Sequence, residues 1–537
     1  MRVLMRWHRH CCVRLASRGE SPIQQARDRS CIASCEALVD GVLCLCSALP
    51  EHQGILAGFL GKKEGVLMRK RGLIPIAICM SLFFVRSPAM AEEPKPEQAV
   101  EVQQSDPGEE LIKKQKAIPL VPYWKDGFVF STADEEFVLK IRGNLHFDTR
   151  FYGSNSANPL TFDIRQTRLD LQGDLYRFLS FRLQTEFADS PYIRNAYVEM
   201  NFREWLQMRA GQVKPPFSTD WWTQDNNVNF LERAAGTPVY PFLDRGFWLL
   251  GSFLSKSITY NLSVWTGAGI ELDYPRGDID DHKDCIGKLF VAPFLTMKDY
   301  PFLQNINLCI EGAYGRESIP TTRFETKGYR AAVYDSRYWT WETQNPGYGE
   351  IGGRNRWGAE LHYIWGPFSA STEWLVTEYT DVEVYDQKDG TLIIDDYGKI
   401  TSWTSWVGFF LTGESKKISN DGWRQPNPKE NFDPIHLKGW GAWEVLFRYT
   451  HTKTDEDLFQ TVSFGGQNYR ILAGADDVYE YTFGVCWTWN PLLRWQFNYV
   501  HLDGDGGGIL TGDSGNKEGQ RRVNDEDQYA MRMIFKF

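Results

Sequence analysis

The sequence predicts an all-β fold, a transmembrane antiparallel β-barrel of about sixteen strands with short periplasmic turns and long outer loops. Three observations point to it. From Phe137 onward, apolar and polar residues alternate in runs of about 9 to 13, long enough to cross a bilayer at a tilt, where a soluble sandwich uses about 5 to 6. Aromatic residues form 14% of the 537 residues beside 24% charged ones, a mixture suited to a wall that meets both lipid and water. Mean hydropathy is -0.41, and only Leu73 to Val85 is continuously apolar. That excludes a bundle of membrane helices but not a barrel, whose alternating strands keep hydropathy low.

The N-terminal elements read as export machinery. Met68-Arg69-Lys70-Arg71 is followed by the apolar stretch Gly72 to Val85 and then by Ser87-Pro88-Ala89-Met90-Ala91. A charged segment, an apolar segment and small residues in that order predict a signal peptide over 68–91, cut after Ala91. Export signals are N-terminal, so residues 1–67 read as a non-native extension and Met68 as the true start. Cys11, Cys12, Cys31, Cys35, Cys44 and Cys46 in that extension match no zinc spacing. After residue 91 only Cys285, Cys309 and Cys486 remain, which is not a disulfide framework. Residues 92–122 are rich in Pro, Glu, Gln and Lys and read as a flexible periplasmic lead, leaving 123–537 for the barrel.

The strands follow from a period of two. Leu139, Ile141, Gly143, Leu145, Phe147, Thr149 and Phe151 alternate with Lys140, Arg142, Asn144, His146, Asp148 and Arg150. Successive strand side chains point to opposite faces, so this is one apolar and one charged face. The pattern returns at Leu179 to Phe187, with Arg182, Gln184 and Glu186 interleaved. Trp357 to Trp365 repeats it opposite Arg356, Glu360 and His362, as do Tyr479 to Trp489 and Tyr529 to Phe537. Aromatics at the run ends, such as Trp357 and Trp365, suit interfacial girdles.

Connections alternate in length. Leu175 to Arg177, Arg203 with Glu204, Leu254 to Lys256 and Pro491 with Leu492 are short; Lys214 to Asp244, Arg316 to Gly353, Thr450 to Val478 and Asp503 to Asp525 are long. A barrel with turns at one end and loops at the other has this asymmetry. Gly413 to Lys438 is the exception, long yet placed by parity at the turn end. The chain closes on an amphipathic strand ending at Phe537, the form of the signal read by the outer-membrane assembly machinery.

Several stretches resemble the phosphate-selective porin O and P family. They are Arg165-Gln-Thr-Arg168-Leu-Asp-Leu-Gln-Gly173, Asn195-Ala-Tyr-Val-Glu-Met200, Gly211-Gln-Val-Lys-Pro-Pro-Phe-Ser218, Phe230-Leu-Glu-Arg233-Ala, Gly441 to Tyr449, Phe483 to Asn490 and the terminal Phe537. The resemblance covers roughly Phe128 to Phe537. It implies a sixteen-stranded outer-membrane porin, often a homotrimer, with Lys214 to Asp244 as the long loop that folds into the lumen. Phosphate-selective members carry a ladder of alternating arginines in the channel, and no R-x-R-x-R-x-R run occurs here. The nearest pairs are Arg354 with Arg356 and Arg165 with Arg168.

The expected pore-lining residues are Lys140, Arg142, Arg150, Arg168, Arg182, Arg209, Glu186 and Glu199. The expected constriction-loop residues are Lys214, Trp221, Trp222 and Arg233. Each lumen charge has a plainer role as a cross-strand brace of the wall. Trp221 and Trp222 either stack on a sugar or fix the loop to the wall.

Enzymatic motifs are weak. Gly347-Tyr-Gly349-Glu-Ile-Gly352 has no leading strand and no following helix for a dinucleotide. Gly512-Asp-Ser514-Gly515 lacks placed triad partners, and Asp503, Asp505 and Asp513 depart from a calcium loop. No catalytic residue, metal site or cofactor is expected. A formal charge of -10 argues against nucleic acid as a partner. The expected partners are outer-membrane lipid, the assembly machinery and small hydrophilic solutes or anions that diffuse passively. A plugged structural or adhesive barrel and a soluble secreted β-sandwich binding protein remain as other readings.

Overall fold

The computed structural model describes residues 119–188, 190–236, 241, 243–267, 282–297, 299–316, 329–330, 336–341, 347–512 and 520–537. The signal segment, the extension before it and most of the lead lie outside the described residues, as do Asp513, Ser514 and Gly515. Sixteen strands form the wall: β1 (Phe137–Tyr152), β2 (Thr161–Leu175), β3 (Leu179–Glu186), β4 (Tyr192–Arg203), β5 (Leu206–Val213), β6 (Asp244–Phe253), β7 (Ile258–Trp265) and β8 (Asp284–Val291), then β9 (Ile306–Arg316), β10 (Gly353–Trp365), β11 (Phe368–Asp386), β12 (Leu392–Phe410), β13 (Ala442–Thr454), β14 (Leu472–Asn490), β15 (Leu493–Gly506) and β16 (Asp525–Lys536). Each pairs antiparallel with the next, and β16 returns to β1 with Met531 opposite Thr149 and Phe535 opposite Leu145. Closure leaves no free edge in the wall.

Burial is inverted relative to a soluble fold. Phe162 and Trp365 on the apolar faces are 69% and 62% exposed, while Arg150 and Glu444 on the charged faces are fully buried. An outward apolar face and an inward polar one suit lipid outside and a polar lumen, and they remove the soluble β-sandwich reading.

The ends differ as the connection lengths predicted. Gly366 and Pro367 suffice between β10 and β11, with Gly366 at φ 56°, a conformation only glycine adopts freely. Residues 214–236 and 411–441 instead fold into the lumen from opposite ends. The first crosses from β1, where Asn226 accepts from the Asn144 amide at 2.9 Å, to β14, where the Ala235 amide donates to Glu480 at 2.8 Å. The second rises from the turn end: the Trp423 amide donates to Thr223 at 2.9 Å, and Gln425 donates to the Asn227 carbonyl at 3.0 Å. The apolar core therefore sits inside the wall, where Trp248, Trp265 and Leu375 meet Phe217 and Ala235 of the inserted loop.

Ahead of β1, Val121–Trp124 and Phe128–Ser131 form a hairpin that pairs onto Val138 to Ile141, so pairing reaches back into the stretch read as a lead. Directly beyond this hairpin, Gly143 and Phe537 exchange two backbone hydrogen bonds of 3.0 Å each. Gly347–Ile351 is a strand paired with β11, which rules out a dinucleotide-binding turn there.

Candidate functional site

Two β-bulges shape the lumen near the inserted loop. On β2, His146 pairs with Gln166 and Phe147 with Ile164, so Arg165 is an extra residue. On β4, Gln184 pairs with Asn195 and Thr185 with Ile193, so Arg194 is extra. In a regular strand, residues three apart face opposite ways. The bulge instead lets Arg165 and Arg168 both point inward and turns Arg194 inward beside Asn195.

The bulge arginines meet carboxylates of the loop. Asp225 binds Arg168 at 2.6 Å and Arg194 at 2.9 Å through Oδ2, and Arg233 at 2.8 Å and Lys214 at 3.2 Å through Oδ1. Burial works to raise the Asp225 carboxyl, but these four cations outweigh it and hold it well below the usual carboxylate range. Glu232 likewise takes Arg165 and Arg150 at 3.4 Å and Arg532 at 3.0 Å. Burial again opposes, and the arginines win, bringing Glu232 to about 2.

Below this layer lies a cavity of about 1060 Å³ that runs to the turn end of the barrel. Asp170 on its wall is shared by Arg142 at 3.0 Å and Arg182 at 2.8 Å. Arg209 pairs with Glu199, its guanidinium 4.4 Å from the Tyr197 ring centre and 4.6 Å from that of Trp248. In and just above the cavity, Arg142, Arg168, Arg182, Arg194, Arg209, Lys214 and Arg233 meet Asp170, Glu186, Glu199, Asp220 and Asp225. Cations outnumber carboxylates there, although the whole chain is acidic.

The expected residues divide. Arg142, Arg168, Arg182, Arg209, Glu199, Lys214 and Trp222 line the cavity. Arg150 is fully buried against Asp148, and Glu186 stands behind Arg168 at 2.6 Å. Lys140 shares the inward parity of Arg142 but is not among the cavity-lining residues. Trp221 is buried beneath Lys214 and Arg233, whose charges lie 4.4 and 5.0 Å from its ring centre, so it ties the loop together and offers no face to a sugar. Several wall charges are direct cross-strand partners: Arg142 with Asp170, Arg168 with Glu186, Arg209 with Glu199 and Arg532 with Asp148. Sequence reading missed Arg194, because alternation from Asn195 sends it outward and a bulge has no plain sequence mark. It also missed the cavity-lining Asn420 and Arg424 of the second inserted segment.

A closed sixteen-stranded barrel with an aromatic exterior, a charged interior and a loop folded across its lumen is the architecture of an outer-membrane porin. The family model for phosphate-selective porin O and P matches residues 139–269 and 332–537. The chain belongs to that family and is an outer-membrane porin that passes small hydrophilic solutes by diffusion. Porin O of Pseudomonas aeruginosa is 22% identical over 422 residues, covering 74% of this chain and 89% of Porin O. Among solved structures, an anion-selective porin from Comamonas acidovorans aligns over 75% of this chain and all of its own at 10% identity, with a TM-score of 0.43. OmpT of Vibrio cholerae aligns over 75% of this chain and 98% of its own at 11% identity, with the same TM-score of 0.43.

Proposed function

We propose that this porin prefers anions, inorganic phosphate among them, and that the selecting region is the arginine wall from Arg142 and Arg182 up to Arg168, Arg194 and Lys214. The observation that carries the reading is Asp225, one carboxylate facing four cations. A pore selects by the charges at its narrow part, not by its net charge. The cross-strand arrangement stands in for an arginine run along one strand, and the family's phosphate-selective character supports the same direction. Loop 214–243 sets the bore, and segment 411–441 narrows it further from the periplasmic end.

The mature chain starts at Glu92 after cleavage behind Ala91, is inserted through its Phe537 signal and functions as a homotrimer, a channel and not an enzyme. The deciding experiment is single-channel conductance and reversal potential of residues 92–537 in a salt gradient, repeated with phosphate. Anion-ward potentials with phosphate block support the reading, and unselective steps refute the preference. Because both inserted segments occupy the lumen, a stable barrel without steps would instead favour a plugged structural role.

A further inference from the structure

Behind the inserted loop, three wall strands bring together a second polar cluster that the solute path does not use. Cys309 on β9 is directly opposite Glu360 on β10, and Glu360 is opposite Glu373 on β11. His362 lies on the same inward face, two residues beyond Glu360. Cys309, Glu360 and His362 each offer a ligand atom within 4.8 Å of the others, and Glu311, Glu360 and Glu373 do the same. All are buried. His362 Nε2 is 3.8 Å from Cys309 Sγ and 3.0 Å from Glu360 Oε2, spacings close to those of ligands around one tetrahedral ion. On its other side, His362 Nδ1 is 2.8 Å from Ser371 Oγ, the outer partner that fixes the ring with Nε2 inward.

Lys288 Nζ reaches Glu311 at 3.1 Å and Glu360 Oε1 at 2.8 Å. Glu360 Oε2 faces His362 Nε2 at 3.0 Å and accepts from the Thr219 amide at 3.1 Å.

We propose that Cys309 Sγ, Glu360 Oε2 and His362 Nε2 form a zinc-type divalent-cation site in the barrel wall, with its fourth position open to water. Thiolate and imidazole select a borderline ion such as Zn²⁺ over Ca²⁺ or Mg²⁺. The Cys309 proton leaves as the ion arrives, so affinity falls with falling pH. Asn307, two residues before Cys309 on the same inward face, lines the cavity and gives the ion a way in. Thr219 of the inserted loop touches both ligand strands, its hydroxyl 3.6 Å from Cys309 Sγ and its amide 2.9 Å from Glu360. A bound ion therefore pins the loop. Spacing along the chain hides this site, because its ligands meet through strand register.

The test uses the full mature barrel in detergent, stripped of metal with a chelator and titrated with Co²⁺ and then Zn²⁺. The expected result is one equivalent per chain, a thiolate-to-cobalt band in the near ultraviolet and displacement by Zn²⁺. C309S abolishes the band, S371A weakens Zn²⁺ binding about tenfold, and C486S leaves both unchanged. Each variant is checked for wild-type heat-modifiable mobility on a gel. A cobalt spectrum without the thiolate band, Zn²⁺ uptake unchanged in C309S, or equal displacement by Ca²⁺ would overturn the site.

Discussion

Arg168 and Arg194, from strands separated by β3, place guanidinium nitrogens 2.6 and 2.9 Å from one oxygen, Asp225 Oδ2. Two arginines this close to one another repel, and the loop carboxylate between them offsets that repulsion, with Glu186 bracing Arg168 from the wall. The loop in turn is held by cations that the wall supplies. On the proposed reading, selectivity and loop position rest on the same contact.

Replacing Asp225 by Asn is expected to leave the barrel closed, loosen the loop and shift the reversal potential further toward anions. Losing one partner of a buried charge cluster costs about 3–5 kcal/mol, to be read from denaturant unfolding of the wild type against D225N.

The pH dependence has a definite sign. The folded Asp225 carboxyl is held low, so its stabilisation is complete above the unfolded value of about 3.9 and is lost as pH falls through the folded value. Glu232, at about 2, behaves the same way. Wild type and D225N should differ by a constant amount from pH 7 to about pH 4 and converge only in stronger acid. Convergence already at pH 6 would contradict this grip.

The arginine wall can be weighed residue by residue in planar bilayers. R194A and R182E are expected to move the reversal potential toward cations, with charge reversal the larger effect. R150A should unsettle the loop with little direct effect on selectivity, since Arg150 is fully buried behind it.

At the seam, a Cβ on Gly143 would sit 2.5 Å from the Phe537 ring. G143V is therefore expected to cost about 1–3 kcal/mol by overpacking and to lower the temperature at which the barrel shifts to unfolded mobility on a gel. A deletion of Phe537 should lower it too, by removing both backbone bonds to Gly143.

Gly422, at φ 112°, lies so close to the inserted loop that a Cβ would come within 2.5 Å of Thr223. G422V should part the two lumen segments and raise single-channel conductance. Unchanged conductance would mean that segment 411–441 does not limit flow.

The period-two runs were enough to reveal the fold, because a strand's two faces alternate strictly and each faces one solvent. Trp357, Leu361 and Trp365 outward against Arg356, Glu360 and His362 inward need no knowledge of neighbouring strands. Parity even placed Gly413 to Lys438 at the turn end. It could not show that this segment rises into the lumen, since insertion depends on Thr223, Asn227 and Asn229 waiting there.

Local alternation along the chain was enough for a barrel of about sixteen strands and for which charges face inward along regular strands. Which of those charges meet depends on the folded wall. Arg194 turns inward because one bulge breaks the alternation, Asp225 gathers cations from three separate parts of the chain, and Cys309 finds His362 across a register of 53 residues. Such encounters are set by closure of the wall and by the loops folded within it, and no local pattern encodes them.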